Sequence, residues 1–483
     1  MSEDAAGVLL PGFVGTALPD WLAARLRNGL AGVCLFGENI VCPEQLRALT
    51  ADIRAANPLA IVAVDEEGGD VTRLYERTGS PFPGNAVLGR IDDVEYTESV
   101  ARSVGRQLRL AGCNLDFAPD VDVNSNPKNP VIGVRSFGAD AALVARHAAA
   151  WVRGLESTGT AASAKHFPGH GDTAQDSHLA MPVVDRPLEA LRERELVPFA
   201  AAIAAGARTI MTSHILLPRV DRERPATFSR RILQDLLRGE LGFDGVIVSD
   251  ALDMAGASGG IGIPEAAVRA IAGGCDLLCL GTANTDAQLR EIEAALDGAV
   301  SDGRLEAARL TDAALRTRRL ATELRDDLES IPPEAYDGPA ASFDRERTIG
   351  VFEIGEAVTV SDGRLLLTLE TTTNIAVGPS PWGPAAAGAE VVRVSRGDRI
   401  EIPDGLQPVL IGKDNHRHEW VRALIDELRR EHPETIVVDM GWPDDDRAYA
   451  DVATFGASRH VGEALTVWLD RAGQSSQQKA DAP

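Results

Sequence analysis

Eight short apolar runs alternate with helical patterns from the N-terminus to about Ala321, and few folds accommodate that alternation. The strand-like runs are Gly7 to Leu10, Gly32 to Phe36, Ala60 to Val64, Asn114 to Phe117, Ala161 to Ala164, Thr209 to Thr212, Gly245 to Val248 and Asp276 to Leu280. Between them, apolar residues at helical spacing predict helices over Pro43–Ala56, Glu95–Ala111, Asp140–Thr158, Leu188–Ala205, Arg230–Gly239 and Pro264–Ala272, with a further one over Thr285–Ala299. Strand runs that are apolar throughout must be buried on both faces, which parallel strands covered by helices achieve. About eight such units in some 320 residues predict an α/β fold, a (β/α)8 TIM-type barrel, with a doubly wound open sheet as the competitor.

A long charged helix, Arg304 to Leu328, closes this part. We read 1–329 as the barrel and 330–343, with Pro332, Pro333, Gly338 and Pro339, as a linker. Beyond it, strand-like runs at Arg364–Leu369, Thr373–Val377, Val391–Val394, Val409–Gly412 and Thr435–Met440 alternate with helices near Glu419–Glu431 and His460–Arg471. They predict a smaller three-layer α/β sandwich domain over 344–473. The polar tail 474–483 is expected to be disordered.

Polar residues gather just after the strand runs. Asp65-Glu66-Glu67-Gly68-Gly69-Asp70 follows Val64; Asp120, Asp122 and then Arg135 follow Phe117; Ser213-His214 follows Thr212; Ser249, Asp250 and Asp253 follow Val248. After Ala164 comes the densest set, Lys165 to His178, with one lysine, three histidines and two aspartates in fourteen positions. Pro168, Gly169 and Gly171 exclude a regular helix there, so these groups are expected on a loop. In a parallel barrel all such strand ends share one rim.

A carboxylate anchored at a strand end, such as Asp250, is preorganised to attack or to stabilise a cation; as a lone residue it would equally be a structural carboxylate. Asp176 beside His178 fixes an imidazole and raises its basicity, the pattern of a proton-moving pair, where a lone histidine would more often be a hydrogen-bonded core residue. Asp65, Arg135, Lys165 and His166 are side chains that hydrogen-bond hydroxyls, or else a structural ion-pair set. No GxGxxG or GxxxxGK pattern is present, so Gly68-Gly69 is read as a tight turn and not a phosphate cradle. His166 and His170 have a metal-ligand spacing only on a helix, which Pro168-Gly169 breaks.

Taken in order, these residues resemble a known signature. Lys165-His166-Phe167-Pro168-Gly169-His170-Gly171 with Asp176-Ser177-His178, Asp65 with Glu67-Gly68-Gly69 and Arg73, Arg135 within Gly133 to Gly138, and Ser249-Asp250 are similar to glycoside hydrolase family 3, and within it to the bacterial β-N-acetylglucosaminidase subfamily. The resemblance covers roughly residues 5 to 325. It implies a retaining double displacement with Asp250 as nucleophile, His178 as acid/base assisted by Asp176, and Asp65, Arg73, Arg135, Lys165, His166 and His214 as sugar-binding groups. It implies terminal N-acetylglucosamine on cell-wall (muropeptide) fragments as substrate, without metal or organic cofactor. Because histidine stands where most retaining enzymes use a second carboxylate, inorganic phosphate could compete with water, making a phosphorylase the alternative; a catalytically dead sugar-binding protein is the alternative of another class. Members often carry Arg at the position of Asp70 and another residue at Glu66, so this chain adds negative charge beside Asp65.

The formal net charge of −24 argues against nucleic acid and anionic membranes as partners. An acidic N-terminus, the absence of an apolar run near ~18 residues and five cysteines, three of them in apolar runs, predict a cytoplasmic protein with buried free thiols.

Overall fold

The structure is a computed structural model that describes residues 3–175, 181–331, 343–371 and 374–480. The chain divides into two compact units: 1–67 with 93–132 and 136–341, and 68–92 with 133–135 and 342–483.

In the first unit eight parallel strands form one sheet: β1 (Leu9–Leu10), β2 (Gly32–Leu35), β3 (Ile61–Val64), β4 (Leu115–Asp116), β5 (Ala161–Phe167), β6 (Thr209–Thr212), β7 (Val246–Ser249) and β8 (Leu277–Cys279), in the order β1-β8-β7-β6-β5-β4-β3-β2. At the open seam Cys34 N donates to Pro11 O at 2.9 Å, so the ends of the sheet meet. This is the expected barrel and not an open sheet. Ile61, Ala63, Leu115, Ala161, Met211, Val246, Val248 and Leu277 pack in its interior, and Leu320, Ala321 and Leu324 of the helix Ala307–Ser330 join the same core. Cys34, Cys113, Cys275 and Cys279 are buried free thiols, and Cys42 is a partly buried one.

Two local differences from the expected elements have plain causes. The run Leu188–Ala205 forms two helices, Leu188–Glu193 and Leu196–Ala204, because Arg194 leaves the helical conformation to pair with Asp172 and Glu195. The strand predicted to end at Ala164 runs on to Phe167. Its register shifts against β6 between Ala164 and Phe167, and Lys165 pairs with the segment around Asp120 through Lys165 N to Pro119 O at 3.1 Å and Val121 N to Lys165 O at 2.8 Å. Lys165 and His166 therefore sit on a strand end and not on a loop.

In the second unit the strands β9 (Glu353–Ile354), β10 (Arg364–Leu369), β11 (Val392–Val394), β12 (Gln407–Gly412), β13 (Ile436–Asp439) and β14 (Val452–Ala453) form a sheet ordered β11-β10-β12-β13-β14-β9, with only β9 antiparallel. Alternate residues of β12 and β13 face opposite ways. Val409, Ile411, Ile436 and Val438 pack with Val461, Ala464 and Leu465 of one helix; Leu410 and Val437 pack with Val421 and Ile425 of another. That is a three-layer α/β sandwich. The segment 68–92 packs in this unit: Gly69 faces Gly84 so closely that a Cβ on it would lie 2.7 Å from Gly84 Cα, and Ala457 N donates to Asp70 at 2.8 Å.

The strand expected at Thr373–Val377 is a turn where described. Asn374 accepts from Ala376 N through its side chain and from Val377 N and Gly378 N through its carbonyl, an arrangement that competes with extended backbone. The last helix spans Arg459–Ala480, so the expected disordered tail is helical up to there; the run from Gln474 holds no Pro or Gly to stop it. Most of the expected linker, 332–342, lies outside the described residues.

Candidate active site

The C-terminal ends of β3, β4, β5, β6 and β7 carry a set of charged and polar side chains. At the end of β5 the Lys165 ammonium, 2% exposed, lies 2.7 Å from Asp65 and 2.8 Å from Glu67. Glu67 is 3% exposed and Asp65 20%, so Glu67 neutralises the lysine from the inside while Asp65 faces outward. A lysine this deep is tolerated because two carboxylates lie against it. Asp116, ending β4, accepts from Glu66 N at 2.9 Å; burial pushes its carboxyl well above the ordinary range, and the Glu66 charge adds to that.

His166 follows Lys165. Its Nδ1 donates to Asp122 Oδ2 at 2.7 Å, while Asp122 Oδ1 accepts from His170 N at 2.5 Å. Asp122 is fully buried and its own N–H is held by Asp120 Oδ1 at 2.9 Å. Burial would raise the Asp122 carboxyl, but the charges of His166 and His170 and the two hydrogen bonds hold it below the ordinary range. An ionised Asp122 fixes the His166 tautomer with the proton on Nδ1 and turns Nε2 to any ligand. Asp120, Asp122 and His166 are the group among the described residues whose ligand atoms lie within 4.8 Å of one another. Within it the Asp122–His166 contact is a hydrogen bond, whereas Asp120 Oδ2 stands 4.0 Å from the same ring nitrogen.

His170 turns the other way: its Nδ1 meets Thr173 Oγ1 at 2.9 Å, and Asn129 Nδ2 donates to His170 O and Gly171 O at 2.8 and 3.1 Å. It stitches the loop rather than forming a second ligand beside His166.

Asp250 follows β7, is partly exposed, and accepts from Ala251 N at 2.8 Å. Asp253, nearby, accepts from Thr282 N at 3.0 Å. His214, after β6, is fully buried, with Nδ1 2.9 Å from Thr227 Oγ1 and Nε2 3.0 Å from Ala251 O. Asp176 and His178 lie outside the described residues. Arg73 and Arg135 belong to the second unit. There Arg73 donates to Ala376 O at 2.8 Å and Val377 O at 3.4 Å, and Arg135, buried at the end of the turn Gly133–Arg135, has its carbonyl taken by Asn85 Nδ2 at 2.7 Å. The structure thus brings Asp65 and Lys165 together. His166 is paired instead with Asp122, and His214 with the Ala251 carbonyl. Glu67, Asp122 and Thr227 were not singled out from sequence as site residues; Asp122 and Glu67 lie in the polar clusters after the strands, whereas Thr227 carries no such signal.

The Glycosyl hydrolase family 3 N terminal domain matches residues 19–320. The beta-hexosaminidase A of Pseudoalteromonas piscicida is 36% identical over 344 residues, covering 65% of this chain and 57% of that protein. A beta-hexosaminidase of Stenotrophomonas maltophilia (strain K279a) is 39% identical over 282 residues, covering 56% of this chain and 82% of its own length. A solved structure, the glycoside hydrolase family 3 beta-N-acetylglucosaminidase from Paenibacillus sp. str. FPU-7, superposes with a TM-score of 0.85 at 30% identity over 98% of this chain and 97% of that one. A parallel barrel with paired acids and bases on its carboxyl rim, and these relatives, put the chain in the glycoside hydrolase class of enzymes. It belongs to glycosyl hydrolase family 3.

Proposed function

We propose that this protein is a retaining exo-β-N-acetylglucosaminidase that hydrolyses terminal β-linked N-acetylglucosamine from cell-wall (muropeptide) fragments in the cytoplasm. The observation that carries the reading is the gathering of Asp250, the Asp65–Lys165–Glu67 cluster and the Asp122–His166 pair on one rim of one barrel. Relatives named beta-hexosaminidase and beta-N-acetylglucosaminidase support the choice of sugar.

In this mechanism a carboxylate oxygen of Asp250 attacks the anomeric carbon and the glycosidic oxygen leaves with a proton from His178, which Asp176 orients. The product is a covalent glycosyl-aspartate. His178, now neutral, takes a proton from water as the water attacks the same carbon and frees Asp250. Asp65 and Lys165 present an acceptor and a donor to sugar hydroxyls, and His166 presents Nε2.

A nitrophenyl N-acetylglucosaminide assay tests the activity, and mass spectrometry after treatment with a slow fluorosugar tests the nucleophile. Release of nitrophenol with an adduct on Asp250 is expected. No turnover, or an adduct on another residue, refutes the corresponding part. A histidine acid/base does not repel an incoming anion as a glutamate would, so the assay is repeated with inorganic phosphate; sugar 1-phosphate in place of free sugar would reassign the enzyme as a phosphorylase.

A further inference from the structure

We propose that His214 is a positioning residue for Asp250, acting through the peptide of Ala251, and is not a sugar ligand. The inference rests on the reading of Asp250 as the nucleophile.

The ladder between β6 and β7 pairs Thr209 with Val246, Ile210 with Ile247 and Met211 with Val248, and stops there. Three residues beyond that last pair, past the strand ends, stand His214 and Ala251. A side chain replaces the ladder at this point: His214 Nε2 donates to Ala251 O at 3.0 Å. The same residue reaches the carboxylate through its other peptide unit, since Ala251 N donates to Asp250 Oδ1 at 2.8 Å. The rest of the turn is tied elsewhere, by Leu252 N to Cys279 O at 2.9 Å and Met254 N to Ala251 O at 3.2 Å. The imidazole therefore ties the Asp250–Ala251 turn to the neighbouring strand, as the two other bonds tie it to β8 and to its own next turn.

The ring is itself held. Its Nδ1 meets Thr227 Oγ1 at 2.9 Å, and that hydroxyl also reaches Ser213 O and Thr212 Oγ1, both at 2.8 Å. His214, Thr227, Thr212 and Ser213 are all fully buried. A histidine that binds a sugar hydroxyl offers it a ring nitrogen; here both nitrogens are engaged by the protein, one of them on the carbonyl of the residue whose N–H holds Asp250. A carboxylate attacking carbon depends steeply on its placement, and a displacement of about 1 Å costs up to about a hundredfold in rate.

The test separates placement from binding. Wild type, His214→Ala, His214→Gln and Thr227→Val are compared for the rate of glycosyl-enzyme formation with an activated fluorosugar and for the inhibition constant of free N-acetylglucosamine. Positioning predicts that His214→Ala slows adduct formation about tenfold to a hundredfold while the inhibition constant stays within about twofold. His214→Gln, whose amide can still donate to Ala251 O, recovers part of the rate. Thr227→Val loses rate in the same direction, and these two variants carry the test if His214→Ala does not fold. An inhibition constant that rises in step with the lost rate makes His214 a sugar ligand and overturns the proposal, as does an unchanged rate in the folded variants. In wild type, an adduct on a residue other than Asp250 overturns the nucleophile reading and the role of His214 with it; an adduct on Asp250 with unaltered variants overturns the positioning role alone.

Discussion

His166 Nδ1 and Asp122 Oδ2 lie 2.7 Å apart, and the carboxylate is fully buried while the imidazole is 8% exposed. The aspartate is thus the inner, fixed member and the histidine the outer, presenting one. Asp122→Asn keeps the shape and removes the charge. A hydrogen bond to a charged group contributes about 1.5–3 kcal/mol, so kcat/KM on a nitrophenyl N-acetylglucosaminide should fall by roughly ten- to a hundredfold. The loss should vanish when the same change is made in a His166→Ala background. A loss of equal size in both backgrounds would mean that the carboxylate does not act through this histidine.

Lys165 holds two carboxylates whose surroundings differ, and the buried one sets the energetics. Removing the ammonium in Lys165→Met takes from Glu67, 3% exposed, the cation that lies 2.8 Å from it. Breaking a buried pair in this way costs about 3–5 kcal/mol. Adding Glu67→Gln should return most of that stability without returning activity, because Asp65 is still without its lysine. Urea unfolding of the two variants checks the first half and the nitrophenyl assay the second. A double variant no more stable than Lys165→Met would place the cost elsewhere than in Glu67.

The barrel was legible because its strands are buried on both faces, so their apolar runs stand out against amphipathic helices; Pro43–Ala56 and Thr209–Thr212 coincide with the observed elements. The end of β5 was not legible. Lys165 and His166 read as loop residues because charge in a sequence ordinarily marks exposure, whereas here each is buried against an aspartate or glutamate about 40 to 100 positions away. The same limit hid Thr227, a threonine without neighbours of chemical interest, whose role exists only because the fold brings it to His214. Strand β9, of two residues, and β14, also of two, are too short to show any periodicity. Asn374 shows the opposite failure: an apolar run after it suggested a strand, and its own side chain closed a turn instead.

Two glycines in the first unit should respond in opposite directions to the same change. A Cβ on Gly171 would lie 1.7 Å from Val123 O, a backbone atom that cannot step aside. Gly171→Ala must push apart the loop carrying His170 and the segment carrying Asp122, at a cost of about 1–3 kcal/mol or somewhat more. Gly298, inside the helix Asp286–Ser301, has nothing within 4 Å of its Cβ position. Gly298→Ala should stabilise by about 0.5–1 kcal/mol through helix propensity. Thermal unfolding followed by circular dichroism should move down for the first and up for the second, and activity should fall only for the first. Equal melting temperatures for wild type and Gly171→Ala would contradict the close approach.

In the second unit His460 supplies a pH dependence whose sign is fixed. Burial holds its pKa down to about 4, with the Arg345 charge acting the same way and Asp344 opposing, and its Nε2 meets Thr348 Oγ1 at 2.9 Å. In the unfolded chain the imidazole titrates near 6.5. Between those values the unfolded state binds the proton and the folded state does not, so the stabilisation is present above about pH 6.5 and is lost as pH falls toward 4. The full effect is at most ~3 kcal/mol. His460→Gln retains a hydrogen-bonding group beside Thr348 and removes the titration. Trp382, Trp420, Trp442 and Trp468 all belong to this unit, so tryptophan fluorescence weighted toward them reports its unfolding. Urea midpoints measured from pH 7 to pH 4 should fall more steeply for wild type than for His460→Gln, with the two curves diverging below about pH 6.5. Parallel curves over that window would show that His460 is not the group whose protonation loosens this unit in acid.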